Sequence, residues 1–552
     1  MKRILLLGGY GTFGGRIAER AAELGFEVLV AGRNLAAAQK FCAGRAAMLP
    51  LRLDRGSGLA AALAEYRPFA VVDAAGPFQN ADYAVAKAAI AFGCHYLDIA
   101  DGRSFVAGMQ ALDAAAREAR VSAIAGASSL PALSGAAVRR LAEGLDEVRE
   151  VEIVLSASSR GTAGRSVTAA VLSYLGRPVR LWRGGRWISK RGWQGLRRRD
   201  FLCPGEPPLR GRLVALADVP DLELLAKRLP GRPAVTFLAG TDLAFHNLGL
   251  WLLSWPVRWR LFRRPERLSG FLSWLQNRMR RLGSLRSAME VRVWGVAGER
   301  RLERRWTLIV GEGQGPEIPS LAVPILLDKL RAGALAAGAG DAGPLLSLDD
   351  FARALERLAT HTCVVEAEHG PALYRRALSG RFDPLPAAVK AMHRVFRDGG
   401  ASGRAQVRRG KGSLARLAAA IIGFPPEGDH DLHVSFEERD GTETWTRDFS
   451  GRRFSSRLSV REGRLEERFG PLHFTFELAP NAETLTMRIV SWRLGAMPLP
   501  LALAPRSEAR EWEEEGRFRF DVPIALPLVG LVVHYRGWLD LPRTAHRASG
   551  AG

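Results

Sequence analysis

Lysine is scarce in this chain. It stands only at positions 2, 40, 87, 190, 227, 329, 390 and 411, although lysine and arginine together number 79 of the 552 residues. Formal net charge is +22, a value that by itself points to nucleic acid or an anionic membrane. The arginines are spread along the whole sequence, among abundant alanine and glycine, and do not form a basic arm. They are read as coding bias, and no nucleic-acid partner is expected. Cysteine is equally sparse: Cys42, Cys94, Cys203 and Cys363 lie far apart with no C-x-x-C pair, which argues against a disulfide framework and a zinc site. His361 and His369 are isolated from other ligand types, and His430 and His433, beside Asp429 and Asp431, fall at i and i+3 of a strand, which face opposite ways. No metal is expected. P-loop and serine-triad signatures are also missing. The apolar run Ile4 to Leu7 is too short for a secretory signal, and the expected location is a reducing cytoplasm.

What is present begins at residue 4. Ile4 to Leu7 form a short apolar strand. Gly9, Tyr10, Gly11, Thr12, Phe13 and Gly14 then follow G-x-G-x-x-G spacing. Phe13, Ile17, Ala21 and Leu24 recur at helical spacing, and Phe26 to Val30 read as a second strand. In such a unit the first glycine makes the turn, the second lets a pyrophosphate approach the backbone, and the third lets the helix lie against the strand. The helix N-terminus supplies N–H groups and positive potential to the phosphates. The second strand ends in Arg33 and Asn34 with no nearby carboxylate to bond a ribose 2′-hydroxyl. A guanidinium there suits a 2′-phosphate, so NADP(H) is expected ahead of NAD(H).

Further strands are read at Leu49 to Leu53, Ala70 to Ala75, Cys94 to Asp98 and Ser122 to Ala125, the pattern of a doubly wound parallel sheet. Ligands in such sheets lie over the carboxyl ends of the strands. That rule puts Asp54 near the adenine and the turn Ala75, Gly76, Pro77, Phe78 near the nicotinamide ribose. Tyr96 and Asp98, at the end of the fifth strand, are the nameable proton-transfer candidates.

These motifs, together with Ala31-Gly32-Arg33, the continuation to Gln79, and His95-Tyr96-Leu97-Asp98, resemble the saccharopine dehydrogenase/reductase-like family. The resemblance implies an NAD(P)-binding Rossmann domain followed by a mixed α/β substrate domain. It also implies hydride transfer at a C=N or C=O carbon of a small molecule; members with known activity act on C–N bonds between amino acids. The groups that would grip amino-acid carboxylates do not map onto this chain, so the substrate does not carry over.

Three domains are expected: 1 to 135, 136 to 370 and 371 to 545. The second is read as mixed α/β with hairpins at Gly184-Gly185 and Gly298, and residues 333 to 344 as an Ala/Gly linker. Within it, Leu248 to Arg264 hold Trp251, Trp255 and Trp259 beside arginines. This segment is too short to span a bilayer, and Pro256 is expected to break its helix. It is read either as a helix buried at a domain or homo-dimer interface or as a peripheral membrane contact. In the third domain, Leu414, Leu417, Ala418 and Ile421 share one helical face. Period-two alternation after Gly428 then predicts about seven antiparallel strands in a curved sheet or small barrel able to hold an apolar ligand. Arg447, Arg453 and Glu467 are expected on solvated faces. Trp445 to Phe449, Glu467 to Gly470 and Tyr535 to Gly537 resemble a bacterial domain of unknown function, the DUF4166 type. Two functions stay open: an oxidoreductase, or a non-catalytic NADP-binding protein whose β domain binds a lipid or other apolar partner.

Overall fold

The computed structural model describes residues 2–161 and 165–540. Six parallel strands, β1 (Arg3–Leu7), β2 (Glu27–Gly32), β3 (Met48–Arg52), β4 (Ala70–Asp73), β5 (His95–Asp98) and β6 (Ser122–Ala125), form the first sheet. Their spatial order is β6-β5-β4-β1-β2-β3. The order reverses at β1, the place where doubly wound sheets bind ligands. Alternation along the strands supplies both faces. Ile4, Leu6, Val28 and Val30 belong to one apolar core, while Leu5, Leu7, Leu29 and Ala31 belong to another. Helix α1 (Gly14–Glu23) packs Ile17, Ala18 and Ala21 against the first of these.

The presumed linker is corrected by a seventh strand. Gly338–Asp341 pairs in parallel with β6, Gly338 opposite Ser122 and Asp341 opposite Ala125. A Gly/Ala sequence carries no alternation to read. The strand is held by backbone pairing and by Ala339 N–H donating to Asp113.

The second domain is a seven-stranded mixed sheet. Strand Glu147–Ala157 lies at its centre, between Ala234–Thr241 in parallel and Ser287–Ala297 antiparallel. Gly184 and Gly185, both at positive φ, make the turn of the hairpin Pro178–Arg191, as a primed two-residue turn requires. Val151, Ile153, Phe237, Val291 and Leu308 share one core with the first domain's Ile4 and Leu6.

The third domain is a closed antiparallel barrel of ten strands, with Met497–Leu499 added outside. Closure runs from Leu472–Pro480 round to Thr484–Leu494, which pair with each other. Strands such as Asp398–Arg409 and Arg452–Arg461 escape the alternation pattern. Their inward residues are small or mixed, Ala401 and Ala405 in one, Phe454, Ser456 and Leu458 in the other, set among arginines and serines.

Two expectations for this domain are corrected. The barrel interior is packed by Phe436, Trp445, Phe449, Phe454 and Tyr535 from the strands and by Tyr374 from a helix. Arg447 and Glu467 are not solvated: both side chains are largely enclosed and pair at 3.5 Å, with Arg447 over the Trp445 and Phe454 rings. Helix Ser413–Ile422 buries Ala415 and Ala419, so Leu414, Leu417 and Ile421 point to solvent. Small residues let the helix lie close to strand Gly530–Asp540, and the larger ones are left outside.

Candidate functional site

The glycine motif closes tightly. A side chain on Gly14 would bring Cβ within 2.2 Å of the Gly8 carbonyl oxygen, and one on Gly9 within 3.0 Å of both Leu6 O and Val30 Cγ1. Gly8 itself has φ +71°, where glycine carries no steric cost. Phe13 is the N-cap of α1 and offers no acceptor, and no acid occupies the first turn. The helix end is therefore left without a side-chain cap of its own, which suits an anion. Tyr10 lies across Gly32, whose Cβ would fall 2.4 Å from its ring, and its hydroxyl accepts the Asn34 N–H at 3.1 Å. The Asn34 side chain in turn caps the helix Leu35–Cys42.

Arg33 is exposed at the end of β2, with no hydrogen-bond or ion-pair partner among the described residues. The register of β2 and β3 puts Arg52 opposite Gly32. Arg52 is also exposed and also unpartnered among the described residues. Adjacency of β2 and β3 was the signal that would have added Arg52 to the site.

Asp54 folds on itself, its Oδ1 accepting from Gly56 N–H at 2.9 Å. After β4, Asp73 accepts the Ala75 N–H at 2.9 Å, and Arg55 donates to the Ala75 carbonyl at 2.8 Å. Gly76 and Pro77 stand open in this turn, but Phe78 turns inward and packs on Phe105 at 5.5 Å. Its contribution to a ligand is limited to its backbone. Gln79, next in the turn, donates to Asp101 at 2.9 Å and keeps a buried carbonyl oxygen without a partner.

Tyr96 and Asp98 are enclosed, Tyr96 in the core on one face of the sheet and Asp98 with none of its surface exposed. Asp98 Oδ1 accepts from Ala100 N–H at 2.9 Å and Gly126 N–H at 2.8 Å. These contacts fasten the loops after β5 and β6, and neither side chain faces open space. The geometry gives the proton-transfer expectation no support. Burial pushes the Asp98 carboxyl up to about 7, against the pull of the two N–H donors. The folded chain thus holds this proton more tightly than the unfolded one, whose carboxyl titrates near ~3.9. The resulting stabilisation is complete below that value and is lost as pH rises through about 7. For Asp98→Asn, the fall in stability between about pH 5 and 8 is expected to be smaller than for the parent by roughly 2 kcal/mol. Denaturant midpoints at the two pH values measure it; equal slopes would remove Asp98 as the titrating group.

A cavity of about 440 Å³ opens beside the glycine loop, within the second domain. Phe13 and Ser129 of the first domain form part of its wall. Its floor is the sheet, through Leu155, Ala239, Met289 and Leu308, and its roof is the helices Ala244–Arg258 and Ser269–Met279. Arg16 and Arg20 on α1 both pair with Glu317, which adjoins the wall residues Pro316 and Ile318. The nucleotide-binding helix and the cavity are thereby held together.

The walls are apolar, yet three buried polar atoms in them have no partner: Ser156 Oγ, Trp193 Nε1 and His246 Nε2. Buried polar groups are normally satisfied, but these three atoms are closed to water, so a ligand in the cavity would meet them only once their side chains turn toward it. Trp193 is also held at φ +62°, a conformation costing a non-glycine residue roughly 1–2 kcal/mol, and strain of this kind gathers at ligand sites. Burial keeps the His246 imidazole below its ordinary range. None of the three follows from sequence, because each lies in a different element and only the fold converges them. Among the described residues no group of His, Cys, Asp and Glu has a metal-binding arrangement.

Comparison with known proteins agrees with this layout. Residues 4–124 match the family described as saccharopine dehydrogenase NADP binding domain. Residues 385–539 match a domain of unknown function, DUF4166. No curated protein matches the chain significantly in sequence. Among solved structures, the chain is similar to the apo, histidine-tagged saccharopine dehydrogenase (L-Glu forming) from Saccharomyces cerevisiae. The identity is 14%, over 66% of this chain and 100% of that one, with a TM-score of 0.43. It is also similar to an oxidoreductase from Sinorhizobium meliloti (14% identity, 56% of this chain and 75% of that one, TM-score 0.28). The WlbA (WbpB) dehydrogenase from Thermus thermophilus, solved with NAD and alpha-ketoglutarate, gives 12% identity over 64% of this chain and 93% of that one, with a TM-score of 0.29. The chain thus joins an N-terminal domain of the saccharopine dehydrogenase NADP-binding family to a C-terminal domain of the DUF4166 type.

Proposed function

We propose that this protein is an NADP(H)-dependent oxidoreductase acting at a C=O or C=N carbon of a small molecule held in the second-domain cavity. The observation that carries the reading is the cavity itself: it shares Phe13 with the glycine loop and contains three unpartnered polar atoms in an apolar wall. The backbone from Gly9 to Gly14 would hold the pyrophosphate, with Arg33 and Arg52 at the 2′-phosphate. Asp54 would lie on the adenine side, and the Ala75 to Phe78 turn would meet the nicotinamide ribose through its backbone. The nicotinamide, when bound, supplies or takes up the hydride. The chain's own part is to orient the substrate and manage the proton. Ser156 and Trp193, once turned toward the cavity, would donate to the substrate's oxygen or nitrogen, and His246 would exchange the proton at that atom. A neutral imidazole takes up that proton in the oxidative direction, and must first gain one from water before delivering it in the reductive direction.

Fluorescence titration with NADPH and NADH, followed by NADPH oxidation over a panel of apolar ketones, aldehydes and imines, tests the proposal. NADPH is expected to bind about tenfold or more tightly than NADH, and Arg33→Ala to remove most of that difference. Tighter binding of NADH would reverse the cofactor assignment. His246→Gln is expected to lower kcat about 100-fold on any substrate turned over, leaving NADPH affinity unchanged. An unaltered kcat and pH profile would take His246 out of the chemistry.

A further inference from the structure

The two helices that roof the cavity are apolar on both sides. Their inner faces, through Leu250, Leu253, Leu272 and Leu275, line the cavity. Among the described residues, no element covers their outer faces. Phe245, Leu248, Leu252 and Trp259 are all exposed, and at ~100° per residue they fall within about 60° of one another around the helix axis. Leu252 and Trp259 are each 61% exposed, Trp274 58%, Leu282 68% and Leu261 77%. Contrary to expectation, Pro256 does not break this helix. It lies in the last turn of Ala244–Arg258, where the bond it cannot donate is to the carbonyl of Leu252, four residues earlier. The helix therefore runs on to Arg258, and Trp251, Trp255 and Trp259 form a ladder with ring centroids 5.9 and 5.5 Å apart.

Arginines follow and flank these apolar residues in the sequence. Arg258, Arg260, Arg263, Arg264, Arg267, Arg278, Arg280 and Arg281 are exposed in a segment, 244 to 282, whose single acid is Glu266. Glu266 is already paired with Arg177 at 2.8 Å. An exposed apolar patch of this kind marks an interaction surface, and the charge selects the occupant. A second copy meeting the same patch about a two-fold axis would oppose these arginines with their own equivalents. An anionic lipid surface complements them, at roughly 1 kcal/mol for each arginine near the headgroups, and takes the aromatic and leucine side chains into the acyl boundary. Among the described residues no helix is long and apolar enough to cross a membrane, so the contact is one of surface docking.

We propose that helices 244–258 and 269–279 dock on an anionic membrane surface and admit the apolar chain of a lipid-like carbonyl or imine substrate into the cavity beneath them. The second half of this inference rests on the cavity being the substrate site. Phe245 is the residue we assign to the passage, since it both lines the cavity and is exposed. The cavity volume, about 440 Å³, lies in the range of small-molecule sites. Its polar atoms Ser156 Oγ, Trp193 Nε1 and His246 Nε2 suit one polar head on an otherwise apolar body.

The test uses the full chain and sedimentable vesicles of phosphatidylcholine, with and without phosphatidylglycerol. The protein is expected to bind the phosphatidylglycerol vesicles and to be released by salt. Leu252→Glu with Trp274→Glu, at positions outside the cavity wall, is expected to weaken vesicle binding about tenfold or more. NADPH affinity should be unchanged. Absence of binding to phosphatidylglycerol vesicles at low salt would overturn the proposal, as would equal binding by parent and variant. So would a parent dimer that the same substitutions dissociate in the absence of vesicles. For the cavity, cis-parinaric acid fluorescence is expected to report binding to the parent and a tenfold or greater loss in Ala239→Trp, which fills the floor. Equal parinaric acid binding by the two would remove the lipid-chain assignment. Failure of NADPH to bind would count against the oxidoreductase reading alone, since the vesicle measurement does not depend on the nucleotide.

Discussion

Gly14→Ala is expected to weaken NADPH binding at least about 100-fold, which corresponds to roughly 2.7 kcal/mol. The added methyl would lie 2.2 Å from Gly8 O, 2.9 Å from Gly8 C and 3.0 Å from Gly9 Cα. All three are backbone atoms, so no side-chain rotation relieves the overlap. Relief requires α1 to move away from the end of β1, and that displaces the N–H groups around which the phosphates would sit. Overpacking of this kind costs typically about 1–3 kcal/mol in stability as well. Gly380→Ala serves as the control, because no atom lies within 4 Å of the Cβ it would add. NADPH fluorescence titration beside far-ultraviolet circular dichroism separates lost binding from lost fold. A folded Gly14→Ala protein with parental affinity would refute the glycine-loop assignment.

The second large effect is expected at the junction of the second domain with the barrel. Glu150, on strand Glu147–Ala157 and almost wholly enclosed, accepts from Arg183 at 2.5 Å, Arg397 at 2.8 Å and Arg439 at 3.0 Å. Arg397 and Arg439 belong to the barrel side. Asp398 closes the cluster, accepting the Gly184 N–H at 2.7 Å and pairing with Arg183 at 3.2 Å. Burial works against the Glu150 carboxylate, but Arg183, Arg439 and Arg397 together hold it below the usual range. Its contribution is therefore present at neutral pH and is lost only as pH falls through that lowered value. Glu150→Gln leaves Arg183, Arg397 and Arg439 to share Asp398 and the more exposed Glu437. Breaking a buried pair from one side costs about 3–5 kcal/mol. Calorimetry is expected to show the barrel unfolding separately from, and before, the remainder in this variant. A thermogram matching the parent's would show that the cluster does not couple the two domains.

Much of the first domain is legible in the sequence because its signals are local. Strands β1 to β6 are short apolar runs ended by turn residues, and the glycine spacing requires only adjacent positions. Arg33 is legible for the same reason, while Arg52 needs the pairing of β2 with β3. The substrate cavity is not legible at all. Ser156, Trp193 and His246 belong to three separate segments, and a lone serine, tryptophan or histidine carries no pattern. The barrel is half legible: strands with large inward residues alternate visibly, whereas Asp398–Arg409 turns alanines inward and reads as polar coil. Tyr96 and Asp98 illustrate a further limit. Their place at a strand's end is readable, but their burial depends on helices packed from elsewhere.

The strand Gly338–Asp341 has a consequence for how the chain is made. It sits beside β6 in the first sheet, and helix Ala322–Arg331 packs against α1. The nucleotide-binding domain is therefore interrupted, with the second domain's central strands inserted between its parts. A ribosome that has released residues 1 to 135 has released an unfinished sheet, whose β6 edge waits for a partner more than 200 residues downstream. The first sheet is complete only once residues 338 to 341 have been made, whereas the barrel lies wholly C-terminal to that strand.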